Sequence, residues 1–219
     1  ALSNASPKAA MMTISLSDAG KRFNRDWIYR RFTYQFVSGK AYAITGPNGS
    51  GKSTLLQALS GSMLINEGSI DWTLNEKKLD PEQIFSHVSI CAPYLELIEE
   101  MTLIEFLQFH QGFKPFLPGL SINDIITKIG LEKAIHKQIR NYSSGMKQRV
   151  KLAQCILSDT SIVLLDEPCT NLDAAGISLY LSLINEFGKD RLIVVSSNDE
   201  TEYSFCREVI NISDYKLTK

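Results

Sequence analysis

Two continuous apolar runs, "SIVLLDE" (Ser161 to Glu167) and "RLIVVSS" (Arg191 to Ser197), stand out along the chain. Unbroken apolar runs of this length predict strands buried on both faces of a parallel sheet. A third, "AYAIT" (Ala41 to Thr45), enters a glycine-rich turn, and "STLLQALSG" leaves it as a helix that Gly61 closes. Strand, loop and helix together predict an α/β core. Before the turn, "MTISLSDAGKRF" and "WIYRRFTYQFV" alternate apolar and polar residues, which predicts antiparallel strands of a small sheet beside the core. From Leu95 to Arg140 the pattern becomes helical. Thr102 and Glu105 form a capping box ahead of "LIEFLQF", Ser121 and Asp124 start "INDIITKI", and Gly130 stops it. The stretch with Pro115, Pro118 and Gly119 is the loop between them. In "NYSSGMKQRVKLAQCIL" the residues Met146, Val150, Ala153 and Leu157 share one face of an amphipathic helix, and Lys147, Arg149 and Lys151 read as its solvated face.

Composition narrows the class. The 219 residues are 44% hydrophobic and 21% charged, enough for a sizeable core in one domain. A formal net charge of -1 gives no reason to expect a nucleic-acid surface over the whole molecule. Cys91, Cys155, Cys169 and Cys206 lie far apart without metal-ligand spacing and are expected as free thiols in a reducing cytoplasm. No apolar run nears the roughly 20 residues that span a bilayer, so a soluble protein is expected. Residues 1–11 are expected to be a flexible tail or an expression remnant, and 12–219 the folded domain.

The turn "GPNGSGKST" (Gly46 to Thr54) fits the pattern GxxxxGK[ST]. Its glycines let consecutive N–H groups point inward to cradle phosphates, the lysine reaches the β and γ oxygens, and the hydroxyl that follows binds magnesium. A strand before it and a helix after it are the context the motif needs. Asp166, at the tip of a buried strand, can hold the magnesium. Glu167 would normally point to the opposite face, unless the chain turns at the strand end; it could then accept a proton from an attacking water. Read alone, "LLDEP" is a strand leaving through a solvated turn. The helix start at Ser143, Ser144 and Gly145 offers a hydroxyl, free N–H groups and the positive end of a dipole, all suited to an anion; alone it is an ordinary capped helix.

With these residues in place, the sequence resembles the ATP-binding cassette (ABC) ATPase family from about Ile14 to Asp214. "GPNGSGKST" is similar to that family's Walker A, "YSSGMKQR" to its LSGGQ signature, "IVLLDEP" to its Walker B, and "NLD" (Asn171 to Asp173) to its D-loop. The resemblance implies a P-loop NTPase core of α/β class, with a mainly parallel sheet, a small antiparallel β-subdomain and an α-helical subdomain inserted at about residues 95–157. It implies ATP and Mg2+ as ligands. Asn48, Gly49, Ser50, Gly51, Lys52, Ser53 and Thr54 would bind the nucleotide, Ser53 and Asp166 the metal, and Lys52, Glu167 and Asn198 would act in hydrolysis. It implies a head-to-tail dimer, homo- or heteromeric, in which Ser143 and Gly145 of one subunit meet the γ-phosphate held by Lys52 of the other. Phe23, 29 residues ahead of Lys52, stands where the family stacks an aromatic on adenine. Trp27 is its rival, and a plain core role for Phe23 is the third reading.

Some positions depart from the family. Tyr94 stands where glutamine is usual and is a poor magnesium ligand. Asn198 stands where histidine is usual and cannot become cationic, so slower turnover is expected rather than none. Ser144 and Met146 replace the signature's usual glycine and glutamine. None of His87, His110 and His136 falls on a motif; each reads as a surface or satisfied polar residue. The function the resemblance implies is the cytoplasmic ATP-hydrolysing subunit of an ABC transporter. It would be peripheral on the inner face of the membrane and drive a separate membrane-spanning chain, docked near Tyr94 and the helices from Leu95 to His110. The alternatives are a soluble ABC ATPase acting on nucleic acid or the ribosome, and an ATP-gated regulatory subunit with little turnover.

Overall fold

The computed structural model describes residues 10–216. In chain order they form β1 (Met12–Phe23), β2 (Asp26–Val37), β3 (Ala41–Thr45), α1 (Lys52–Leu59), β4 (Glu67–Leu74), β5 (Lys77–Lys78), α2 (Pro81–His87) and β6 (Val88–Cys91). Then follow α3 (Leu103–Phe113), α4 (Ile122–Lys128), α5 (Ser144–Ile156), β7 (Ile162–Asp166), α6 (Ala174–Phe187), β8 (Leu192–Ser196), α7 (Glu200–Tyr203) and β9 (Glu208–Asn211). The tail expected at 1–11 lies outside the described residues except for its last two. Of these, Met11 is paired, its N–H donating to Asn75 Oδ1 at 2.9 Å.

Five strands make a parallel sheet in the order β6-β7-β8-β3-β9. All five residues of β7 and of β8 are buried, as their apolar runs require. Because side chains alternate along a strand, the two faces feed two cores. Ile162, Leu164, Leu192 and Val194 join Tyr42, Ile44 and the α1 residues Leu55, Leu56 and Leu59 on one side. Val163, Leu165, Ile193 and Val195 join Val150, Ala153 and Leu183 on the other. Each such side chain contributes about 1.5–3 kcal/mol by leaving water, so the sheet is the frame on which everything else is fixed.

The second sheet is antiparallel, in the order β2-β1-β4-β5. The alternation of β1 and β2 places Ile14, Leu16, Phe32 and Phe36 in the core shared with α1, and a register shift with Arg31 at φ 54 brings Tyr29 to the same face. Strands β4 and β5 and helix α2 add to what the β1–β2 pattern alone predicts. Between β6 and β7 the chain forms α3, α4 and α5. The capping boxes expected at Thr102 with Glu105 and at Ser121 with Asp124 are both present. Each cap contributes about 1 kcal/mol. Gly130, at φ 68, follows the end of α4. All four cysteines are free, Cys91 and Cys155 being buried.

Candidate functional site

Strand β3 delivers the chain into the glycine turn with Tyr42, Ala43 and Ile44 buried behind it. Gly46, Gly49 and Gly51 have φ of 142, 76 and 106. The constraint is tightest at Gly51, where a Cβ would sit 2.1 Å from Ile28 Cγ2 in addition to the backbone strain. Gly51 is also the N-cap of α1, with no side-chain cap, and the first turn of α1 carries no acid. The free amides and the positive end of the helix dipole therefore remain available to an outside anion. Lys52 is only 6% exposed. Its Nζ donates to the carbonyls of Gly46 at 2.7 Å and Pro47 at 3.3 Å, which holds the ammonium inside the curl of the loop. Ser50 Oγ is buried without a partner, an orphan polar atom at the same loop. Ser53 and Thr54 stand half-buried on the first turn of α1.

The acids stand at the same end of the sheet, at the tip of β7, which is in register with Ser196 of β8 and through it with Ile44 of β3. Asp166 ends β7 at 3% exposure and pairs in the ladder with Ser196. Ser196 Oγ is likewise buried without a partner. At Glu167 the backbone switches to φ 45. The turn is fixed by the Glu167 N–H donating to Ser196 O at 2.9 Å and by its carbonyl accepting from Thr170 N and Oγ1. The strand's alternation breaks there, so Glu167 is exposed immediately beside buried Asp166. The chain thus turns at the strand end. Asn198 follows β8, and its Oδ1 accepts the Gly46 N–H at 3.1 Å. Because that contact takes the amide oxygen, the NH2 end is left to donate elsewhere.

Among the described residues, no group of three His, Cys, Asp or Glu side chains forms a metal cluster. The donors at this end of the sheet are hard oxygens, from Asp166 at the tip of β7 and Ser53 in the first turn of α1. Such a set fits magnesium, which is commonly held by one or two carboxylates together with substrate phosphates and water.

Ser143 is the N-cap of α5, its Oγ accepting the Met146 N–H at 3.2 Å. Gly145 packs against the loop before α6, where a Cβ would lie 3.0 Å from Asn171 O. Ser143, Gly145, Arg149, Asn171 and Leu172 line a cavity of about 660 Å³ that contains no residue of the Gly46–Thr54 loop. The structure thus bonds Lys52 and Asn198 to one loop, sets Asp166 at the same end of the sheet, and gives Ser143 a separate opening.

The expected solvated face of α5 is corrected. Lys147 bridges Glu99 at 2.5 Å, Arg149 donates to Ile129 O and faces Asp173 at 3.6 Å, and Lys151 donates to Pro93 O. These half-buried cations fasten the helix to its neighbours, a role that spacing alone does not reveal.

Phe23 is 47% exposed at the end of β1, with Lys21 Nζ 5.1 Å from its ring centroid, so it is not a core aromatic. Trp27 lies near Arg22 at 5.4 Å and Arg30 at 4.5 Å, and Arg30 is held by Glu67. Tyr94 is exposed after β6. Partial burial raises its phenol pKa, contact with Gln57 of α1 opposes the rise, and the Asp166 carboxylate adds to it. Its phenol therefore stands within electrostatic reach of Asp166. His110 donates to or accepts from Ser158 Oγ at 2.8 Å, and burial pushes its pKa down to about 4, so it is a neutral, satisfied residue. Motif spacing missed buried Glu202, whose Oε1 accepts the Cys169 N–H at 2.7 Å. An acid in a four-residue helix carries no sequence signal of such a contact.

The sequence model of the family described as ABC transporter matches residues 29–170. The chain is 28% identical over 207 residues, 93% of its length and 94% of the relative's, to the uncharacterized ABC transporter ATP-binding protein YybJ of Bacillus subtilis. It is 33% identical over 192 residues to YxlF of the same organism, covering 84% of this chain but 62% of that one. The dimeric structure of MJ0796, described as a bacterial ABC transporter cassette, superposes with a TM-score of 0.75 at 21% identity, over 91% of this chain and 94% of that one.

Proposed function

We propose, since the chain belongs to the ABC transporter family as one of its ATP-binding ATPases, that it couples ATP hydrolysis to a membrane-spanning partner encoded as a separate chain. The observation that carries the site assignment is the glycine loop with Lys52 folded into it and Asn198 bonded to Gly46, at the end of the sheet where β7 delivers Asp166 and Glu167 and is in register, through Ser196, with Ile44 of β3. The amides of Asn48 to Thr54 and the Lys52 ammonium would hold the phosphates of ATP. Ser53 and Asp166 would hold magnesium, which when bound neutralises phosphate charge. Glu167 would accept a proton from the attacking water, and the Asn198 NH2 would donate to the terminal phosphate. The exposed face of Phe23 would take the adenine.

Ser143 and Gly145 would complete the site of a second copy. Two observations support that reading: the signature opening is separate from the glycine loop, and the fold matches a cassette whose structure is dimeric. No helix of the described residues is long and apolar enough to cross a membrane. Attachment would therefore be peripheral, through the partner on the inner face. After native cells are broken without detergent, a large share of the chain is expected to sediment with membranes; a wholly soluble pool would count against the partner.

Lys52→Ala tests the loop. Losing a charge-assisted contact of about 1.5–3 kcal/mol should weaken ATP binding roughly 10- to 100-fold, read by titration with a fluorescent ATP analogue. An unchanged affinity would remove the loop from the proposed site.

A further inference from the structure

Asp166 and Glu202 are the buried carboxylates among the described residues, at 3% and 5% exposure, and the roles above use only Asp166. Burying a carboxylate is costly unless its oxygens are satisfied. The groups around Glu202 are the Cys169 amide, the Ser197 hydroxyl and the carboxylates of Asp199 and Glu167, with no cation among them. Burial accordingly raises its pKa, and the hydrogen bonds from Ser197 and Cys169 oppose the rise.

The geometry gives this expense a use. Glu202 Oε1 accepts the Cys169 N–H at 2.7 Å, two residues beyond Glu167. The Glu202 N–H donates to Asp199 O at 3.0 Å, one residue beyond Asn198. The Tyr180 hydroxyl donates to Glu202 O at 2.8 Å, which pins α7 onto α6. One residue therefore joins the turn carrying Glu167, through its side chain, to the turn carrying Asn198, through its backbone, and the buried Tyr180 anchors it to α6.

We propose that Glu202 is a positioning residue for ATP hydrolysis: it fixes the Cys169 amide, and through it the left-handed turn from which Glu167 acts. The inference rests on the reading of Glu167 as proton acceptor. Glu202→Gln keeps the reach and an accepting oxygen, whereas Glu202→Asp keeps the charge but falls one methylene short. Glu202→Ser, which leaves room for water at the amide, is a second shortened variant.

Phosphate release by the purified chain gives kcat and KM for each. The glutamine variant should stay within about 3-fold of native kcat, while the two shortened variants should lose about 10-fold or more with KM for ATP within about 2-fold. In a Glu167→Gln background, the shortened variants should bring no further loss. Native kcat in the shortened variants, a parallel rise of KM, or a full additional loss in that background would each overturn the proposal. A native rate in Glu167→Gln alone would instead overturn the proton-acceptor reading and with it this inference, and it is recognised because Glu202 is intact in that variant.

Discussion

Replacing Glu167 with glutamine is expected to slow ATP turnover by about 10²- to 10⁴-fold, the usual contribution of a positioned general base. Glutamine matches glutamate in shape and still accepts a hydrogen bond, but it cannot take up a proton at neutral pH. The backbone should not object. Position 167 already holds a non-glycine residue at φ 45, stabilised by Ser196 O and Thr170, and glutamine meets the same torsional cost. In the proposed site the loop from Gly46 to Thr54 holds the phosphates and Glu167 has no part in it, so ATP affinity should remain within a few-fold of native. Phosphate release and nucleotide titration on the same preparation separate the two effects. Equal turnover in the native and glutamine proteins would take Glu167 out of the chemistry.

Arg191→Leu is expected to give the largest loss of stability. Arg191 is 8% exposed. Its guanidinium donates to the carbonyls of Ile156, Ser158 and Thr160 and to Thr160 Oγ1. It therefore ties the end of α5 and the turn before β7 to the start of β8. Burial lowers its pKa to about 10, which leaves it cationic at neutral pH. Leucine would fill part of the space while stranding several buried acceptors, each worth about 1–3 kcal/mol when unsatisfied. Water reaching some of them would reduce the sum, so a net loss of about 3 kcal/mol is expected. For a chain of this length that lowers Tm by about 6–12 °C. Calorimetry on the native and leucine proteins checks this, and a Tm within a degree or two of native would mean that the carbonyls find other donors.

The contrast between these residues shows where the sequence was legible. Glu167 could be proposed from the sequence because its neighbours form a local pattern: an apolar run, two acids and a proline, downstream of a glycine turn with a lysine. The capping boxes at Thr102 and Ser121 were readable for the same reason, since both partners lie within one helical turn. Arg191 opens an apolar strand, and no neighbour in the sequence signals its contacts. Its acceptors lie 31 to 35 residues away in the chain, and only the packing of α5 against the parallel sheet brings them to it. Glu202 and Cys169 are separated by 33 residues in the same way. The contacts of Lys147, Arg149 and Lys151 are not legible in the sequence because helical spacing identifies a face but not the loops that cover it. The Phe23 question had a related cause: both aromatics fit the spacing ahead of Lys52, and only the tertiary fold leaves Phe23 open while arginines crowd Trp27.

The claim that one nucleotide is enclosed by two copies is tested most directly by sedimentation of the Glu167→Gln protein with ATP and magnesium. A two-copy species holding two nucleotides is expected, reverting to single copies without ATP or when Ser143→Arg is added. ATP-saturated protein that sediments as one copy, indifferent to the residue at 143, would contradict it.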